Sequence, residues 1–318
     1  YFSNFIGHAG SPMLFFAIFI LLTTVVVMLG VQKGVEKVSK LMMPVLLILI
    51  VGISIYTLTL PGAIDGLIYY VKPDFNQFSI KTVIAAVGQL FYSMSLAMGI
   101  MITYGSYMRK EDNIESSVRQ IEVFDTLVAF LSGLIIVPAV FVFSGGDENA
   151  LNAGPSLMFI TLPNVFKEML GGQIVGAVFF LLVVLAAMTS SISLMETVVS
   201  IVEERFHWKR IPSCLIVTGI SFLIGLLSVF GYSIWSDFTI FHMQFLDFFD
   251  YISNNIMMPI VALMTCVLVG FVVKTTFVED EIEKNARFRV KGLYRVMIKF
   301  ICPICMLLIL FSALFLKL

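Results

Sequence analysis

The run Gly88-Gln89-Leu90-Phe91-Tyr92-Ser93-Met94-Ser95-Leu96-Ala97-Met98-Gly99 interrupts a stretch, Val83 to Tyr107, that is otherwise apolar enough to cross a membrane. A hydrocarbon core about 30 Å thick takes roughly 20 apolar residues as helix. Glycine and serine are weak helix formers, so this span is expected to be broken near Ser93 to Gly99. Its neighbours decide what kind of chain can carry such a break.

Of the 318 residues, 59% are hydrophobic and 13% charged, against roughly a quarter charged in a soluble domain. Eight spans can be read: Met13 to Leu29, Leu41 to Leu60, Val83 to Tyr107, Val123 to Phe143, Ile174 to Val202, Leu215 to Tyr232, Phe245 to Val273 and Val296 to Leu316. All are too long for barrel strands and lack strict alternation, so they must be helices that satisfy their own backbone hydrogen bonds. The fold class is an all-α membrane protein.

Lysines and arginines fall on alternate sides of these spans. Lys33, Lys37 and Lys40, then Arg109, Lys110 and Arg119, then Arg205, Lys209 and Arg210, then the basic run from Lys274 to Lys299 follow the odd-numbered spans. Positively charged loops stay cytoplasmic. The chain is therefore expected to enter and finish outside, in a cell (inner) membrane crossed several times. A net charge of -1 carries no nucleic-acid footprint. Cys214, Cys266, Cys302 and Cys305 lie in or beside apolar spans and read as packing, and His8, His207 and His242 are isolated. Gly154 to Gly172 reads as an extracellular cap or re-entrant hairpin, and Val278 to Arg295 as a solvated connector.

Polar groups at membrane depth face a cavity or a partner. A discontinuous helix exposes N–H and C=O groups that bind carboxylates or replace the water shell of Na⁺, while glycine and serine also let helices pack closely. Asp125, about one turn inside the fourth span, is either a buried carboxylate in need of a partner or a helix-end charge among headgroups. Ala186, Thr189, Ser190 and Ser191 offer hard oxygens for a cation, or hydroxyls bonded back to their own helix. The residues alone leave these alternatives open. Glu196, Asp247 and Asp250 are the remaining acids within the spans, with Glu203 and Glu204 at a cytoplasmic helix end; with no Arg or Lys deep in any span, the partners of Asp250 and Glu204 are expected outside this chain or in its missing portion.

The segment Ala86 to Leu96, the following Ile102-Thr103-Tyr104-Gly105-Ser106-Tyr107, Phe159-Ile160-Thr161-Leu162-Pro163 and Met188-Thr189-Ser190-Ser191-Ile192 resemble the bacterial neurotransmitter:sodium symporters. The likeness runs from Gly34 through the seventh span. It implies the inverted-repeat, leucine-transporter-like fold, with the eight spans as family helices 4 to 11 and the first three helices missing. Residues 1–82 would end the first repeat, 83–273 form the whole second repeat, and 274–318 hold a cytoplasmic loop and a final helix.

By that resemblance Ser93 and Asp125 join one sodium site, and the Ala186 carbonyl, Thr189 and Ser190 a second, both incomplete in this chain. Asp125 stands where the family usually has Asn; its charge implies chloride independence. Gln89 matches the position that contacts the anion in chloride-dependent members, but Ala129 lacks their nearby hydroxyl. Substrate would lie against Tyr92, Ser95, Ala97, Met98, Ser190 and Leu194. Ala97 replaces a common glycine and narrows the floor toward aliphatic side chains. Tyr92 with Asp250, and Tyr107 with Glu204, would gate the two sides. The implied function is sodium-coupled symport of a hydrophobic amino acid, with no enzyme chemistry; the partners are that amino acid, sodium, the lipid bilayer and the missing helices. A truncated, non-transporting binding or scaffold protein is the alternative, and an amino-acid sensor a third.

Overall fold

A computed structural model of the chain describes residues 2–73, 75, 78–144, 157–285 and 287–316. Among them, 7 helices are long and apolar enough to cross a membrane. In chain order, α1 spans Gly10–Met28 and α2 Lys37–Leu58; α3 is the short Ala63–Val71. The expected weak span is two helices, α4 at Ile80–Ser93 and α5 at Ile100–Tyr107. Then come α6 at Ile114–Phe143, the short α7 at Leu162–Glu168, α8 at Gly172–Phe206 and α9 at Arg210–Gly231. The last three are α10 at Phe245–Val272, α11 at Thr275–Glu283 and α12 at Lys291–Leu314. All eight expected spans are therefore helical, the third of them in two pieces.

Helix ends differ from the apolar limits because a helix continues through the headgroup layer as long as its backbone bonds are met. The fourth span begins at Ile114 rather than Val123, where the Asn113 side chain accepts a 3.0 Å bond from the Ser116 N–H, an asparagine holding the first turn's free donors. Within α10 and α12, wide π turns at Tyr251–Met257 and Met297–Ile301 come just before Pro259 and Pro303. Proline lacks an N–H and crowds the carbonyl four residues back, so the preceding turn loosens. Of the expected extracellular cap, Leu157–Thr161 and α7 are helical turns; Gly154, Pro155 and Ser156 lie outside the described residues.

The chain divides into two compact units. One holds Tyr1–Phe75 and Thr126–Ile234. Its core joins α2, the C-terminal part of α6, α7 and α8 through Ile50, Ile135, Val140, Leu162, Phe166 and Phe179. In it α3 lies so close on α6 that a Cβ on Gly66 would come 2.6 Å from the Pro138 Cα. The other unit holds Asn76–Asp125 and Trp235–Leu318. There α10 packs on α12 through buried Met258, Ala262, Cys266 and Met306, and the Tyr251 hydroxyl donates to the Ala313 carbonyl at 3.1 Å.

The loop expected to be a solvated connector is largely exposed, but one of its acids is not. Its helix α11 buries the Glu279 side chain to 2% exposure, and Arg295 at the foot of α12 grips it with two bonds of 2.8 and 2.6 Å. A bidentate guanidinium pair of this kind justifies burying a carboxylate that water would otherwise keep. The same bonds hold the Glu279 carboxyl below its ordinary value of 4.5. A carboxyl held low contributes stability that is fully present above the unfolded value and lost as pH falls through the folded one. Thermal unfolding in detergent should therefore show a stability loss on acidification below about pH 4.5, and Glu279→Gln should remove part of that slope; an unchanged acid profile would show that this pair is not what titrates.

Candidate functional site

Between α4 and α5 the chain leaves the helix over residues 94–99. Ser95, Ala97 and Gly99 take left-handed conformations, with φ of 53°, 61° and 81°. Only glycine adopts that region at little cost, so two of the three positions are strained. Three bonds close the end of α4: Met94 N–H to Leu90, Ser95 N–H to Tyr92 and Leu96 N–H to Phe91, each 3.0 Å. Among the described residues, no backbone bond is made by the N–H groups of Ala97, Met98 or Gly99. At membrane depth such groups are free to take a ligand.

The break holds the Ser93 hydroxyl against Asp125 on α6, donating to Oδ1 at 2.6 Å. Two residues far apart in sequence and expected to share a sodium site are thus in direct contact. No Lys or Arg pairs with Asp125 among the described residues.

On α8 the second expected set behaves differently. The Thr189 hydroxyl donates to the Ala186 carbonyl at 2.9 Å, and the helix closes further with Ser193 to Thr189 at 3.0 Å. Thr189 is buried whereas Ser190 is exposed. The two candidate oxygens of Ala186 and Thr189 lie side by side, joined by a proton that would have to rotate away before both faced a cation. Ser191 turns to a different partner, the Thr23 hydroxyl of α1 at 3.1 Å.

Around α4, α10 and α12 the second unit encloses a cavity of about 510 Å³, whose lining includes Gln89, Tyr92, Asp250 and Asn254. Tyr92 and Asp250, expected as one gate, border the same space. Asp250 accepts a 2.6 Å bond from Asn254 one turn on. Ser95, Ala97 and Met98 do not line it. Tyr107 lies near Tyr104, ring centres 6.5 Å apart, and Glu204 and Leu194 are exposed on α8.

Glu196, an acid within a span that has no Arg or Lys at its own depth, finds its base at a helix end: it is fully buried, with 0% of its side chain exposed, and carries an ion pair with Arg210. The same guanidinium bonds Glu203 at 3.1 Å and the Val27 carbonyl at 3.0 and 2.7 Å, so it also caps the free end of α1. Arg210 opens α9 and escaped notice because it sits in a loop by hydropathy. The signal was the turn itself: α8 and α9 are joined by 207–209 alone, which folds Glu203 and Glu196 back toward Arg210.

A broken spanning helix with a carboxylate beside it, in a chain of long apolar helices, is a feature of a membrane transporter rather than an enzyme. The model of the sodium:neurotransmitter symporter family matches residues 2–317, and the chain belongs to that family. An uncharacterized sodium-dependent transporter of Haemophilus influenzae is 33% identical over 98% of this chain and 67% of its own length. A second, YhdH of Bacillus subtilis, is 31% identical over 92% of the chain and 64% of its length. The chain thus spans about two thirds of these relatives. Among solved structures, MhsT in complex with L-phenylalanine superposes with a TM-score of 0.87 at 32% identity, over 98% of this chain and 70% of that one. The protein is a multi-pass membrane protein of a sodium-dependent transporter family.

Breaking one half of a buried ion pair costs roughly 3–5 kcal/mol because the other charge is stranded. Arg210→Met should accordingly destabilise the protein severely in a detergent thermal-unfolding assay, while Arg210→Met with Glu196→Gln should recover most of the loss. Equal damage in the single and double variants would show that packing, not the stranded carboxylate, sets the cost.

Proposed function

We propose that the protein is a sodium-coupled symporter of a hydrophobic amino acid. The observation that carries the reading is the Ser93–Asp125 contact at the helix break, 2.6 Å long. A carboxylate at membrane depth whose hydrogen-bond partner among the described residues is a hydroxyl is half a cation site: its charge calls for a cation, and hard oxygens suit Na⁺. A second sodium ion is assigned to the Ala186 carbonyl, Thr189 and Ser190. Both sites are completed by groups outside these residues. Residues 1–82 then end a first inverted repeat, 83–273 form the second, and 274–318 add the loop and last helix.

The substrate's ammonium and carboxylate are taken by the open backbone groups of 94–99, with Tyr92, Ser95, Met98, Ser190 and Leu194 around its side chain. Tyr92 and Asp250 close the outer side, and Tyr107 and Glu204 the inner. Sodium and substrate bind one of the two openings better, and that difference drives the exchange between them. Asp125 brings a fixed negative charge to the first site, so transport needs no chloride.

Asp125→Ala should abolish sodium-dependent uptake of labelled amino acid into vesicles, and the unmodified protein should transport equally in chloride and gluconate. Uptake that survives both the substitution and sodium removal would sink the mechanism.

The Ala97 methyl, held at φ 61°, narrows the site toward aliphatic side chains. MhsT, by contrast, was solved with L-phenylalanine. Ala97→Gly should relieve the strained conformation and extend competition by phenylalanine and tryptophan at least severalfold relative to leucine. An unchanged competition profile would remove Ala97 from the specificity argument.

A further inference from the structure

The end of α8 and its turn into α9 read Arg205-Phe206-His207-Trp208-Lys209. At 22 residues, α9 is about 33 Å long, the thickness of the hydrocarbon core. Its Arg210 end therefore sits at the boundary, and the turn just beyond it lies in the headgroup layer. Basic residues place that layer on the cytoplasmic side, whose lipids carry negative charge.

His207 reverses the chain in a left-handed conformation, φ 55°, and brings Phe206 and Trp208 together with ring centres 5.1 Å apart. Both rings are open, 57% and 44% exposed. Stacked aromatics so exposed are poorly placed in water and well placed at a membrane interface. Of the three cations here, Arg210 is committed inward to Glu196, Glu203 and Val27. Arg205 and Lys209, flanking the rings and exposed, have no ion pair among the described residues. The neighbouring acid without such a pair is Glu204, so the outward-facing balance is still cationic.

We propose that this turn is a binding surface for an anionic phospholipid, its phosphate taken by Arg205 and Lys209 and its upper acyl chain lying against Phe206 and Trp208. Charge and ring pair together select the lipid. A solvated charge run would lack the exposed aromatic stack, and an ordinary aromatic belt would lack the two exposed cations beside it. The inference stands apart from the transport reading, because it concerns the membrane and not the cargo.

The test uses the reconstituted protein and the Trp208 fluorescence, taken as the difference between it and Trp208→Phe. Brominated phosphatidylglycerol should reach half-quenching at a mole fraction roughly tenfold below brominated phosphatidylcholine, since each cation near the surface favours anionic lipid substantially. Arg205→Gln with Lys209→Gln should erase the difference, and Lys33→Gln with Lys37→Gln, at another cytoplasmic turn, should leave it. Equal quenching by the two lipids overturns the proposal. So does a preference that survives the first double variant, or one that the second removes, which would mark diffuse surface potential. Loss of the preference in millimolar inorganic phosphate would assign the cations to a free anion and overturn it as well.

Discussion

Hydrocarbon supplies no hydrogen bonds, and the whole chain is organised by that lack. Every span but one answers it by running as helix from one headgroup layer to the other. Even the polar residues of α8 comply: Thr189 bonds Ala186, Ser193 bonds Thr189 and Thr197 bonds Ser193, each hydroxyl returning to its own backbone. The break at 94–99 does the reverse, leaving N–H groups open where each unmet group costs several kcal/mol. A protein keeps such a segment only when something else meets those groups.

Buried charge is handled in two ways, and the contrast assigns roles. Glu196 and Glu279 are each closed by an arginine, an arrangement that locks neighbouring helices and leaves no vacancy for an ion. Asp125 has the Ser93 hydroxyl instead. A hydroxyl donates one hydrogen bond and no charge, so the carboxylate stays electrically uncompensated. The first kind of site holds the fold together; the second is the one proposed above to take a cation.

How far the sequence could be read followed from the same distinction. The break was legible because glycine and serine fail locally, within the span that contains them. Asp125 beside Ser93 was not, since the pairing joins two helices and only the family likeness brought them together. The pairing of Arg210 with Glu196 was hidden for a related reason: hydropathy stops at the membrane boundary, whereas an arginine side chain reaches past it to Glu196. Glu279 was hidden by the charge of its surroundings, which looked like a solvated loop until Arg295 on the next span claimed it. Local weakness shows in a sequence, and long-range compensation does not.

The alternation at the break adds one more step. Left-handed residues stand at 95, 97 and 99, with Leu96 and Met98 on the ordinary side between them. Alternating hands of this kind turn successive N–H groups to one side, the geometry of a backbone nest for anions. On the proposed function, a zwitterionic substrate would offer its carboxylate to these N–H groups. On that proposal the strain at Ser95 and Ala97 would serve recognition, since relaxing either into helix would close the nest.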